Sequence, residues 1–206
     1  MIPDFDKSKL QRQPFTYGVV PSALRNEDSL ALLEWLEADA PWQLRVASFY
    51  EQFEFSILDA ELPGHLQSLF CSESLAALKN CIENVFDADL DDRIDITVHK
   101  LVRGQRIRIH NDYIPGRETH RLLIQLNRGW QDSNGGALIF FNSQRADDIH
   151  RIFRPLHNTG VLFEISQNSL HAVSPIMDGE RYTLVLSFYK NGHAECENPP
   201  STSSAA

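Results

Sequence analysis

The sequence predicts a mainly β chain of the sandwich or jelly-roll kind, with two helices ahead of the strands. Three observations carry that expectation. After residue 93, short apolar segments recur at tight spacing: 94–102, 106–112, 121–127, 137–141, 149–153, 160–165, 170–174 and 181–189. Turn-forming residues separate them, among them Gly104, Pro115-Gly116, Asn134-Gly135-Gly136 and Asp178-Gly179. Before residue 93, two segments instead repeat their apolar residues at helical spacing.

The first dozen residues are polar and carry Pro3, so they read as a loose lead-in. Tyr17–Val20 is a short strand stopped by Pro21. A helix follows, capped by Asn26 or Asp28, with Leu30, Leu33, Trp35 and Leu36 on its apolar side and Pro41 beyond its end. Residues 42–58 are aromatic and β-branched and hold one or two strands, closed by a Pro63-Gly64 turn. Ser72 then caps a second helix whose apolar positions are Leu75, Leu78, Ile82, Val85 and Phe86. The acidic run 87–92 reads as a solvated loop. In the last strand, Tyr182, Leu184, Leu186 and Phe188 share one face, apolar enough to lie beneath the helices. Arg181, Thr183, Val185 and Ser187 then point into the barrel.

Size and composition bound the possibilities. At 206 residues and 42% hydrophobic, the chain can bury one substantial core. Lys+Arg 19 against Asp+Glu 28 leaves a formal −9, which argues against a nucleic-acid or anionic-membrane binder. Cys71, Cys81 and Cys196 are odd in number and form no CxxC pair, as expected of reduced thiols in a cytoplasmic protein. The start lacks the pattern of a signal peptide, and no apolar run is long enough to span a membrane. The expected organisation is a single domain over 1–190, with helical support at 15–92 and a β core at 93–190. The Pro/Ser/Ala-rich stretch 191–206 is expected to be a disordered tail.

The chemistry concentrates in Arg106–Asp112. Strict alternation there puts Ile107 and Ile109 on one side and Arg108, His110 and Asp112 on the other. One imidazole and one carboxylate on the same strand face can converge on one ion, and a third ligand must come from elsewhere. His171 lies in a later predicted strand, with Arg181 ten residues beyond it. Two histidines and one carboxylate on one side of a metal, with open positions opposite, is the arrangement of non-haem Fe(II) oxygenases. An HxD triplet alone is a weak signal, and a lone strand histidine is usually structural; the conjunction carries the weight. Arg108, facing inward by alternation, needs an anion, either a substrate carboxylate or a core acid such as Glu164. Trp130 reads as core packing, and His99, His120, His150 and His157 as incidental polar residues.

Three blocks, KLVRGQRIRIHND, RLLIQLNRGWQDSNGGALIFF and SLHAVSPIMDGERYTLVLSFY, stand in order over residues 93–189. Together they resemble the Fe(II)/2-oxoglutarate-dependent dioxygenases, specifically the prolyl-4-hydroxylase-like branch. The resemblance implies a double-stranded β-helix (a cupin-like jelly roll) with the helices packed on one sheet. It implies His110, Asp112 and His171 as metal ligands and catalytic centre, with Fe(II), 2-oxoglutarate, O2 and, as an accessory, ascorbate. Arg181 would pair with the distal carboxylate of 2-oxoglutarate, assisted by Thr183 and Gln125. Gln125 stands where the branch commonly has tyrosine, and Leu101 where it has an aromatic residue. Asp112 favours hydroxylation, or desaturation or ring closure, because halogenating relatives lack that carboxylate. The implied substrate is a peptide, an amino acid or a small metabolite, with Arg108, Tyr113, Arg117 and the aromatic stretch 42–55 as candidates for the substrate mouth. The loop 113–120 is a candidate lid. Two rivals are a metal-dependent cupin enzyme that uses no 2-oxo acid and a non-catalytic jelly-roll binding protein.

Overall fold

In the computed structural model, which describes residues 9–192, eleven strands form two sheets. The strands are β1 (Tyr17–Val20), β2 (Gln43–Val46), β3 (Glu51–Ser56), β4 (Leu90–Leu101), β5 (Ile107–His110), β6 (His120–Gln125), β7 (Leu138–Phe141), β8 (Ile149–Phe153), β9 (Thr159–Glu164), β10 (His171–Val173) and β11 (Arg181–Lys190). Three helices interrupt the first half: α1 (Asn26–Ala38), α2 (Gly64–Gln67) and α3 (Ser72–Phe86). The larger sheet runs β1-β9-β6-β11-β4-β3-β2 and the smaller β5-β10-β7-β8, all pairs antiparallel. This is the mainly β jelly roll expected, and each of the eight predicted segments after residue 93 holds one of the strands β4–β11. No described helix is long and apolar enough to cross a membrane.

Period-two alternation in β11 divides the core in two. Tyr182, Leu184, Leu186 and Phe188 lie under the helices with Leu32, Leu33, Leu36, Leu78 and Ile82. On the opposite face, Val185 joins Leu123, Phe140, Phe163 and Val173 in the core between the two sheets. Arg181 and Thr183 share that inner face, and the large sheet therefore carries polar groups into the space between the layers.

Several local expectations need correction. Neither Asn26 nor Asp28 caps α1: Arg25 precedes the first turn and its guanidinium holds both Asp28 oxygens at 2.7 and 2.9 Å, so that carboxylate is engaged elsewhere. Ser72 lies inside α3, with Cys71 at the cap position. Pro63 precedes a short helix, α2, which buries Leu66. The acidic run is only half a loop, because β4 begins at Leu90, a residue buried to 1% exposure, and Asp92 on that strand pairs with Lys79 at 2.6 Å. Within the lead-in, Gln11 makes a bridge to Tyr17. Residues 1–8 and most of the expected tail, 193–206, lie outside the described residues.

His120 is not incidental either. It is buried against Phe86, ring centroids 4.7 Å apart, with Nδ1 3.0 Å from the Thr119 hydroxyl. Burial pushes its pKa down to about 3. A depressed histidine stabilises the fold fully above its unfolded pKa of about 6.5, and that stabilisation is lost as pH falls toward the folded value. Urea unfolding at pH 7.0 and 4.5 should therefore show a smaller acid loss for His120→Gln than for wild type, by roughly 2 kcal/mol.

Candidate metal and 2-oxo-acid site

His110, Asp112 and His171 converge between the sheets. Their ligand atoms lie within 4.8 Å of one another, with Asp112 Oδ2 3.3 Å from His110 Nε2 and 3.1 Å from His171 Nε2. Neighbouring donors on one octahedral ion stand about 3 Å apart, so the three can hold a single metal. Both imidazoles are set by the same local device. His110 Nδ1 is 2.8 Å from the Arg108 carbonyl, and His171 Nδ1 is 2.7 Å from the Ser169 carbonyl. A carbonyl only accepts, so each Nδ1 carries the proton and each Nε2 lone pair is left for a ligand. Burial, and then the neighbouring His110, pushes the His171 pKa down, which keeps it the neutral imidazole that a metal needs.

The route to this geometry differs from simple alternation. His110 pairs with His171 and Ile107 with Val173, so Arg108 and Ile109 together stand opposite Ala172 alone. That is a β-bulge, and it reverses the facing of what precedes it. Ile107 and His110 point into the cavity, Ile109 packs outside with Phe141, Leu170 and Ala172, and Arg108 is exposed. The inward Arg108 expected from strict alternation is therefore wrong, and Glu164 pairs with Lys190 instead. Asp112 lies beyond the end of β5, at φ 57°, a left-handed conformation that aspartate tolerates better than most residues. The intervening Asn111 ties the strand end to the loop before β10: its Nδ2 donates to the Gln167 carbonyl at 3.1 Å and its carbonyl accepts from the Ser169 hydroxyl at 2.8 Å.

Arg121 completes the setting. Its guanidinium grips both oxygens of Glu118 and donates Nη1 to Asp112 Oδ2. Burial opposes ionisation of Asp112, but Arg121 and the two imidazoles outweigh it and hold the carboxyl well below its usual range. No motif in the sequence marked Arg121; its pairing opposite Ser187 of β11 could have placed it on the inner face.

The cavity beside the triad has a volume of about 300 Å³. Arg181 lines it, 2% exposed, with Nη1 donating to the Thr183 hydroxyl at 2.8 Å, and that hydroxyl donates to Gln125 Oε1 at 3.0 Å. Among the described residues no carboxylate neutralises this guanidinium: burial alone pushes its pKa down to about 9, and its Nε has no partner. A buried cation in that condition is a seat for an anion. Gly136 makes room for it, since a Cβ there would stand 2.9 Å from Arg181 Cδ and 3.1 Å from Trp130. Trp130 itself packs against the inner core and bonds the Gly135 carbonyl at 2.9 Å.

His99, expected to be incidental, faces the same cavity. It belongs to a polar row across the sheet, Glu54–His99–Thr183–Gln125, each residue paired with the next. Burial, with Arg121 and Arg181 nearby, pushes its pKa down to about 3, so it stands neutral. Gln52 lines the cavity too and leaves its buried Oε1 without a partner. From the aromatic stretch, Phe49 and Tyr50 reach the cavity, Phe49 stacked on His110 at 4.7 Å, whereas Trp42 packs on Phe55 and Tyr182 under the helices. Tyr113 and Arg117 are exposed residues of the connection between β5 and β6, outside the cavity wall. Leu101 is fully buried opposite Arg181 and offers no polar contact.

Residues 96–189 match the family model of the 2OG-Fe(II) oxygenase superfamily. Prolyl 3-hydroxylase OGFOD1 of Xenopus laevis is 23% identical over 199 residues, covering 95% of this chain and 38% of the relative, so the chain spans well under half of that protein. A Pseudomonas putida prolyl-4-hydroxylase structure superposes with TM-score 0.68 at 23% identity, covering 85% of this chain and 93% of the other. A Trichoplax adhaerens prolyl hydroxylase, solved with a hypoxia inducible factor oxygen degradation domain peptide fragment, gives TM-score 0.67 at 14% identity, covering 89% and 87%. Over the matched region the chain is thus similar to the 2OG-Fe(II) oxygenase superfamily, and its fold is that of the prolyl hydroxylase structures. That family implies Fe(II), 2-oxoglutarate and O2, and the residues fit: three donors for one ion, and an unneutralised guanidinium for a carboxylate beside it.

Two variants test this geometry. Arg181→Met should raise the ligand-free unfolding free energy by on the order of 1–3 kcal/mol, because an unpaired buried charge is removed. It should also abolish the stabilisation that 2-oxoglutarate with Fe(II) confers under nitrogen. Arg121→Gln should weaken Co(II) binding, followed by visible absorption, by about 10–100-fold, since Asp112 loses the group that orients it.

Proposed function

We propose that the protein is a 2-oxoglutarate-dependent Fe(II) hydroxylase. It would oxidise an unactivated C–H bond of a peptide, amino acid or small metabolite, a prolyl group foremost, and release succinate and CO2. One observation carries this reading: an unneutralised, buried Arg181 and a His-Asp-His triad share one cavity. A metal-dependent cupin enzyme without a 2-oxo acid has no use for that guanidinium.

In this reading His110, Asp112 and His171 hold the iron, their Nε2 and carboxylate positions set by the Arg108 and Ser169 carbonyls and by Arg121. Arg181 takes the distal carboxylate of 2-oxoglutarate through its planar fork. Thr183, braced by Gln125, keeps that fork aimed into the cavity. Iron and 2-oxoglutarate, when bound, supply the oxidising chemistry. The chain contributes orientation and a largely dry wall of Ile107, Leu123, Leu138, Val173 and Val185, which keeps water from the reacting centre. The substrate enters past Phe49, whose ring lies on His110.

Succinate formation from 2-oxoglutarate with Fe(II), ascorbate and O2 tests this. Wild type should turn over slowly without added substrate, His171→Ala and Asp112→Ala should be silent, and Arg181→Gln should raise the 2-oxoglutarate KM at least about tenfold. Product formation by Asp112→Ala at the wild-type rate would sink the assignment.

A further inference from the structure

Beside the cavity lies a second depression of about 380 Å³, between the β2–β3 turn and the chain around β5. The two share a wall: Phe49 and Tyr50 line both. The bulge in β5 distributes one strand between them. Ile107 and His110 serve the cavity, while Arg106 and Arg108 line the groove, joined by Arg103 from the preceding turn. All three arginines are exposed, and among the described residues none of their guanidinium groups has an ion pair or hydrogen bond. The groove's carboxylate, Glu51, takes a 3.4 Å bond from Gln105 Nε2. Three cations against one anion leave the groove positive on a chain whose net charge is −9. Val46, 73% exposed, adds an apolar edge.

Resting on the hydroxylase reading above, we propose that this groove seats acidic side chains of a peptide or protein substrate while the target residue enters the adjoining cavity. Guanidinium groups match carboxylates bidentately, and unpaired ones give up no internal partner on binding. An extended chain advances about 3.3 Å per residue, and Arg108 is two residues from His110, so the acidic residues stand roughly two to four positions from the target. A nucleic-acid backbone is the weaker occupant. Continuous phosphates need an extended basic track, whereas here the positive charge is local and the chain as a whole repels polyanions.

The test uses the full chain under nitrogen with Fe(II) and 2-oxoglutarate, and again without them. The probes are a fluorescein-labelled, proline-centred peptide flanked by aspartates, the same peptide with asparagines, and a labelled uridine oligomer. Wild type should bind the aspartate peptide roughly tenfold tighter than the asparagine one, with the preference shrinking as salt is added. Arg106→Gln/Arg108→Gln should remove the preference, and charge reversal to glutamate should invert it. Arg145→Glu, an exposed reversal on the β7–β8 connection, lowers the net charge by as much as the glutamine pair and should preserve it. Equal binding of both peptides by wild type, or a preference that survives both arginine variants, overturns the proposal. So does tighter binding of the uridine oligomer through the same arginines, which would reassign the groove to nucleic acid. Succinate formation measured on the same preparation separates the two readings. Turnover without an acidic preference removes only the groove, and an acidic preference without turnover removes only the hydroxylase.

Discussion

Two residues of β5 stand against one of β10, and the site depends on that mismatch. The pairing brings His110 opposite His171, so that their rings stand 4.2 Å apart between centroids. The extra residue lets the strand present Ile107 and His110 inward while turning Arg108 out. Beyond the strand end, the left-handed turn at Asp112 swings the carboxylate back to meet both imidazoles. A regular ladder would have put Arg108 where a metal site has no use for a cation.

Around that mismatch the fold accepts costs that a purely structural jelly roll would avoid. Among the described residues Arg181 is buried with no counterion and Gln52 leaves an acceptor unsatisfied, while His99 is held neutral. The first two oppose stability, the third does so only as pH falls, and all three face one cavity. Unsatisfied polar groups clustered in one place mark a site prepared for something polar to arrive. The support is correspondingly firm: β11 runs between β4 and β6, its outer face is sealed under the helices, and its inner face carries Thr183 on a backbone paired along both edges and Arg181 on one paired to β4.

The metal site and the basic groove are linked through the same short segments. Phe49 stacks on His110 and its carbonyl accepts the Arg108 amide at 3.0 Å, so the β2–β3 turn is pinned to the strand that supplies the first ligand. Recognition outside the cavity and geometry inside it therefore share β5 and that turn. A substrate that fills the groove would press on the wall next to the metal.

Much of this was legible from residue order alone. Alternation in β11 assigned its two faces correctly, and the three blocks around His110, Gly135-Gly136 and His171 placed the triad and Arg181 in one chain context. These are local properties: period, turn chemistry and residue type are written in neighbouring positions. The facing of Arg108 was not, because a bulge is defined by the partner strand, and Ala172 lies 64 positions from Arg108 along the chain. Arg121, His99 and Gln52 escaped for the same reason. Each is an ordinary polar residue until sheet pairing sets it beside Asp112 or Arg181. The sequence determined which residues could bind a metal and a carboxylate; only the tertiary structure decided which arginines are buried and which stand free, because burial belongs to the packed layers and not to the chain.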